Sequence, residues 1–147
     1  MQLSTRSPNQ GSARTEWTIR LKDVPSITRQ LHELQTEFAD TAGLLDDALD
    51  DLILVLEELL TNLYHHDRST RTIIDVRLTL IRDGDEVWCD WLDSGDEFNP
   101  FLAELIEPDE KGGVGLPLVR HFTTEGTHER HGAFNHLSFC VALAPTT

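Results

Sequence analysis

Residues 74–91 have the sequence IDVRLTLIRDGDEVWCDW, and this stretch decides the fold. Apolar and polar residues alternate over residues 74–80, and they alternate again over residues 87–91. Alternation of this kind is typical of a strand with one buried face, and Asp83-Gly84 between the two runs is typical of a tight hairpin turn. The stretch therefore predicts two antiparallel strands that share one apolar face.

Two stretches with helical spacing precede the hairpin. Between Pro25, which can occupy a first helical turn, and Gly43, apolar residues recur every three or four positions and predict a first helix. A second, longer helix is predicted from about Leu45, with a broad leucine-rich stripe along one side. Both helices need an apolar surface to pack against, and the hairpin offers one.

Strand-like alternation also occurs near both ends of the chain. Residues 17–21 precede the helices, and a run near Phe122 and residues 137–143 flank a polar turn that ends at Gly132. Together these elements predict an α+β fold, a two-layer sandwich in which helices cover one face of a mixed, mostly antiparallel sheet. We expect residues 1–14, which are polar and poor in apolar side chains, to be a disordered tail, and residues 15–147 to form one domain.

Composition narrows the classes of function. No apolar stretch approaches the roughly 20 residues of a membrane span, and we expect neither a signal peptide nor an anchor. Cys89 and Cys140 lie in strand-like runs, as expected for reduced, buried thiols of a cytoplasmic protein. The net charge of -14 disfavours direct binding to nucleic acid or to anionic membranes, although the same charge is consistent with a surface that serves only solubility.

Glu58, Asn62 and His66 follow one another at four-residue steps on the second predicted helix, so they share one side of it, roughly opposite the leucine stripe. A carboxylate and a carboxamide one turn apart could hold a magnesium ion and orient an attacking hydroxyl or water. A solvated helix face explains the same spacing when it stands alone.

Two glycine-containing turns, at Gly95 and at residues 112–115, are further candidate binding motifs. Asp93 ends a predicted strand just before a sharp turn at Gly95, and a carboxylate there can accept a hydrogen bond from an amino group. Residues 112–115, Gly-Gly-Val-Gly, lead into a short helix, where bare backbone amides stabilise phosphate oxygens. An ordinary turn and a flexible loop are the simpler interpretations, and neither turn has the pattern of a P-loop or of a dinucleotide-binding fold.

In their order along the chain, the three motifs are the helix row ELLTN at residues 58–62, DSGDEFNP at residues 93–100 and GGVGLPLVR at residues 112–120. This set resembles the GHKL ATPase superfamily, which has the Bergerat ATP-binding fold. The size and the DSGDEFNP motif are most similar to the anti-sigma-factor serine/threonine protein kinases, and the resemblance extends from about Trp17 to Leu143.

The resemblance implies ATP and magnesium as cofactors and a role for each motif residue. Glu58 corresponds to the catalytic carboxylate, Asn62 to the magnesium ligand and Asp93 to the residue that binds the adenine amino group. The ATP-binding residues implied in this way are Asn62, His66, Asp93, Gly95, Phe98, Gly112, Gly113, Val114, Gly115 and Leu116. The neighbours His65 and Asp67 differ from the common family pattern, which leaves their roles open.

The resemblance also implies a partner-switching role in transcription regulation. The chain would bind a sigma factor and phosphorylate a small, STAS-like anti-sigma-factor antagonist, and a homodimer is possible. Two alternatives remain open: a nucleotide-gated binding protein with little kinase activity, in which ATP orders a lid at residues 100–111, and an acidic interaction domain that binds no nucleotide. The irregular spacing of His121, His128, His131 and His136, without cysteine partners, argues against a zinc site.

Overall fold

The computed structural model describes residues 14–66, 74–102 and 115–145. In chain order, the elements are β1 (Arg14–Leu21), α1 (Val24–Ala42), a short 3-10 helix (Asp46–Leu49), α2 (Asp50–His66), β2 (Ile74–Asp83), β3 (Glu86–Asp93), α3 (Gly115–Phe122), β4 (Thr123–His131) and β5 (Phe134–Ala142). The predicted α+β class and the hairpin of β2 and β3 are confirmed. Arg14, which the sequence analysis assigns to the tail, is the first residue of β1.

The strands form one sheet in the order β1-β2-β3-β5-β4, with helices on one side of it. All neighbouring strands in the described part of the chain run antiparallel, so the prediction of a mixed sheet is wrong in that detail. The hairpin closes where Asp83 pairs with Glu86, and Gly84 adopts a φ of 64° there. Such a positive φ is easy for glycine, which explains why the turn falls at Asp83-Gly84.

Local signals set both ends of α1. The side chain of Asp23 accepts a hydrogen bond from the Ser26 backbone amide at 2.8 Å, and Pro25 lies in the first turn, where a missing amide hydrogen costs nothing. Gly43 ends the helix in the left-handed conformation, with a φ of 72°. The predicted limits of this helix are therefore confirmed.

Two predicted boundaries are wrong. The second helix does not start at Leu45, which is extended and 66% exposed; a 3-10 turn follows, and α2 begins at Asp50. Tight 3-10 turns are common at the start of α-helices, where the first amides have no helical partners. The strand predicted near Phe122 is present as β4, but it begins at Thr123, because Phe122 is the last residue of α3.

The core lies between the sheet and the helices, and its side chains come from the alternating positions and the helical stripes that the sequence indicates. Its largest fully buried members are Trp91, Phe38, Phe139, Ile19, Ile27, Leu31, Leu34, Leu49, Leu52, Leu56, Leu60 and Leu78. Cys89 and Cys140 are buried and form no disulfide, and burial raises the pKa of the Cys89 thiol, with a smaller contribution from the charge of Asp90. None of the described helices combines the length and apolarity that a bilayer crossing requires.

Candidate functional site

Asp93, the last residue of β3, is a buried carboxylate with a relative exposure of only 5%. Its Oδ2 accepts a hydrogen bond from the indole Nε1 of Trp91 at 2.6 Å. Its Oδ1 accepts two more, from the backbone amide of Gly95 at 2.7 Å and from the amide Nδ2 of Asn135 at 3.1 Å. Three donors therefore fix the position of this carboxylate and compensate for its burial.

Asn135 on β5 is the centre of the hydrogen-bond network around the Gly95 turn and is 2% exposed. Besides Asp93, its Nδ2 donates to the backbone carbonyls of Asp96 at 2.8 Å and of Gly95 at 3.3 Å. Its Oδ1 accepts from the Phe98 backbone amide at 3.3 Å. Because Nδ2 faces three oxygens, this network determines the orientation of the amide.

Two side chains of β4 complete the support of the turn. The guanidinium Nη1 of Arg130 donates to the Gly95 carbonyl at 2.8 Å, and the ring Nε2 of His128 lies 2.9 Å from Asn135 Oδ1. Since that oxygen can only accept, His128 donates through Nε2 in this arrangement. The turn that follows β3 is thus held from both β4 and β5.

The chain after the turn packs back onto the sheet. The Asn99 side chain accepts a hydrogen bond from the Phe101 amide at 2.9 Å, and the Phe101 ring lies 5.9 Å from the ring of buried Phe139. At Gly126 a Cβ atom would lie 2.6 Å from Cδ1 of Phe101, so only glycine leaves room for the ring there. The Phe98 side chain, by contrast, remains 37% exposed beside the turn.

The polar row of α2 lies on the flank of the helix rather than opposite its buried stripe. Glu58 and Asn62 are both half-buried, and each follows a buried residue by one helical turn, Val55 and Leu59 respectively. Burial raises the pKa of Glu58, and the neighbouring charge of Glu57 adds to the shift. His66 is the last residue of α2, and its side chain lies outside the described residues.

The third motif is only partly described. Gly112, Gly113 and Val114 lie outside the described residues, whereas Gly115 is the first residue of α3 and Leu116 is buried directly after it. Helix α3, which begins at Gly115, packs against α2, the helix that carries Glu58. Helix α2 also contacts β5, the strand of Asn135.

The structure thus joins Asp93, Gly95 and the Phe98 backbone in one network and sets α3 beside α2. Trp91, Arg130 and Asn135 also belong to this network, although no sequence motif points to them. The sequence does contain a sign that Asn135 is buried. It lies two positions before the alternating residues 137–141, so it falls on the same buried face of the strand. A buried asparagine requires partners, which makes this position informative.

These observations agree with comparisons to known proteins. Residues 22–141 match the family described as histidine kinase-like ATPase domain, and the chain belongs to this family. Membership confirms the assignment to GHKL-like ATPases and implies ATP binding.

One relative is the serine/threonine-protein kinase BtrW of Bordetella bronchiseptica, which is 30% identical over 100 residues, covering 64% of this chain and 70% of BtrW. Among solved structures, the chain is similar to the RsbU and RsbW domains of Rv1364c from Mycobacterium tuberculosis, with a TM-score of 0.58 and 16% identity. That match covers 90% of this chain but only 33% of the larger protein, and it supports the fold alone.

Proposed function

We propose that the chain is an ATP- and magnesium-dependent serine/threonine protein kinase that acts as a cytoplasmic anti-sigma factor. It would bind a sigma factor and transfer the γ-phosphoryl group of ATP to a hydroxyl of a small, STAS-like antagonist. Family membership and the name of the kinase BtrW support this proposal. The structural observation that carries it is the hydrogen bonding of Asp93.

A carboxylate oxygen can accept about two hydrogen bonds. In the described structure Asp93 Oδ1 has two partners and Oδ2 has one, so Oδ2 keeps the capacity for one more donor. The exocyclic amino group of adenine is a donor of this kind. Because the carboxylate is already fixed by its neighbours, binding the base would not require it to reorganise, which favours affinity.

The phosphates would lie toward α3, since the backbone amides at the start of a helix stabilise anions. Gly115 and Leu116 begin α3, and α3 packs on α2, the helix that carries Glu58 and Asn62. The carboxamide oxygen of Asn62 is a hard ligand that suits magnesium, and a bound magnesium ion would neutralise charge on the phosphates.

Glu58 would orient the antagonist hydroxyl and accept its proton. Burial raises the pKa of Glu58, which makes its carboxylate a stronger base than that of an exposed glutamate. Phosphoryl transfer depends mainly on positioning and on charge neutralisation, so the role of Glu58 would be to position the hydroxyl while magnesium and the amides of α3 would neutralise charge. The same geometry would also activate water, and the identity of the nucleophile depends on the partner.

A transfer assay tests the proposal. The purified chain is incubated with radiolabelled ATP, magnesium and candidate STAS-like antagonists, and parallel pull-downs measure sigma-factor binding with and without ATP. We expect label on a serine or threonine of one antagonist, and none when that residue is replaced by alanine. ATP-dependent binding of a partner without transfer would instead support the nucleotide-gated binding protein.

A further inference from the structure

A second cluster of chemically active side chains lies on the sheet face that points away from the nucleotide motifs. Successive residues of a strand point to opposite faces, so His136 faces away from Asn135. Glu129 on β4 pairs directly with His136 on β5, and His131 follows Glu129 by two positions on the same face. Asp90 on β3 joins them, with its Oδ1 3.2 Å from His136 Nε2.

These groups converge closely. His131 Nε2 lies 2.8 Å from Glu129 Oε1, and one ligand atom each from Glu129, His131 and His136 lies within 4.8 Å of the others. Both histidines and Asp90 line an open cavity of about 330 Å³, together with Arg77 and Thr79. The cavity is accessible to solvent, so an ion can enter without rearrangement of the backbone.

We propose that this cluster binds a divalent transition-metal ion of the zinc type, with Glu129, His131 and His136 as ligands and a fourth position open to water. Ligand atoms around a tetrahedral ion with bonds of about 2.0–2.2 Å are roughly 3.4 Å apart, which small side-chain rotations can reach from the observed spacing. Two imidazoles favour zinc over magnesium, which prefers oxygen ligands. The site is therefore chemically distinct from the proposed magnesium position at Asn62.

Charge and register both support the assignment. Glu129 and Asp90 together offset the charge of a divalent ion, although the positive charge of Arg77 in the same cavity weakens binding. The histidines are irregularly spaced along the chain, which by itself is not the pattern of a zinc site. Pairing of β4 with β5 brings His131 and His136 together across the strands despite that spacing, whereas His128 contacts Asn135 instead.

Zinc titration of the whole chain tests the proposal. Metal-free protein is titrated with zinc chloride by calorimetry, and the same experiment is run on His131→Ala, His136→Ala and Glu129→Gln. His32→Ala is the matched control, because His32 is exposed on α1 and far along the chain from the cluster. Circular dichroism of each metal-free variant shows whether it is folded, and these surface positions should tolerate the changes.

We expect one zinc ion per chain, an affinity at least about tenfold weaker in each of the three cluster variants, and no change in His32→Ala. A parallel titration with magnesium should give no heat that depends on His131 or His136. The proposal is overturned if wild type does not bind zinc, if folded cluster variants bind it as wild type does, or if the stoichiometry is one ion per two chains.

Discussion

The Gly95 turn and the polar row of α2 belong to the same proposed site, but they are held very differently. The turn is tied to three strands by side-chain hydrogen bonds from Trp91, Arg130 and Asn135. The row of Glu58 and Asn62 depends on the packing of its helix, and burial disfavours the charge of Glu58. Asp93, proposed to recognise the base, is held in place by three hydrogen bonds. Glu58, proposed to take part in the chemistry, is a carboxylate whose charged form is destabilised by burial.

This difference is consistent with a division of labour. A preorganised carboxylate favours binding, because little freedom is lost when the ligand arrives. A carboxylate with a raised pKa costs stability but is a better proton acceptor, which is a common compromise in active sites. Substitutions in the two regions should therefore separate binding from transfer.

The largest effect is expected from Glu58→Ala. Removal of a general base lowers the rate of transfer by about 10²–10⁴-fold, whereas ATP affinity should stay near that of wild type. Radiolabel transfer and ATP titration measure the two quantities. Glu57→Ala is the comparison variant: it removes the adjacent charge that adds to the pKa shift of Glu58 but keeps Glu58 itself, so its rate should fall far less. Equal rates in Glu58→Ala and wild type would remove Glu58 from the mechanism.

A large loss of stability is expected from Asn135→Asp. The change places a second carboxylate about 3 Å from Asp93, where its Nδ2 now donates, and also against two backbone carbonyls. Breaking such a buried network should lower the free energy of unfolding by about 3 kcal/mol or more, as measured in urea. Asn99→Asp is the control, because its oxygen can still accept from the Phe101 amide. Similar losses in both variants would contradict the central role of Asn135.

A smaller loss of stability and of ATP affinity is expected from Arg130→Ala. It removes the hydrogen bond to the Gly95 carbonyl and should cost about 1 kcal/mol of stability together with some ATP affinity. Arg82→Ala is matched to it, because Arg82 donates to the Ala42 carbonyl at 2.8 Å, away from the turn. We expect comparable melting temperatures but weaker ATP binding only in Arg130→Ala. Equal ATP affinities would show that this contact does not support the site.

The smallest effect concerns pH. The folded state raises the pKa of Glu58 above its ordinary value of 4.5, so the folded protein binds this proton more tightly than the unfolded chain does. This contribution to stability is present below pH 4.5 and is lost as pH rises through the folded pKa. Glu58→Gln should therefore melt slightly higher than wild type at neutral pH, and the difference should vanish in acid. A variant that melts lower at neutral pH would contradict the raised pKa.

The sequence predicts the parts of the fold that depend on local periodicity. The hairpin at Gly84 and the limits of α1 follow from alternation, Pro25 and Gly43, which act over a few residues. The predicted start of the second helix is too early and the strand predicted near Phe122 starts only at Thr123, because the apolar residues at these two junctions do not show which element they extend. The motifs locate Asp93 and Gly95, but the network around them depends on strand register, which places Asn135 beside Asp93 only after β3 and β5 pair.

Thermal unfolding with and without Mg-ATP, in wild type and in Asp93→Asn, tests the central claim that Asp93 anchors a nucleotide. At a hundred times the dissociation constant, ATP should stabilise wild type by about 2.7 kcal/mol. Asp93→Asn should show a much smaller shift at the same ATP concentration, and Asp40→Asn, an exposed aspartate on α1, should match wild type. No shift in wild type, or an undiminished shift in Asp93→Asn, would contradict the account.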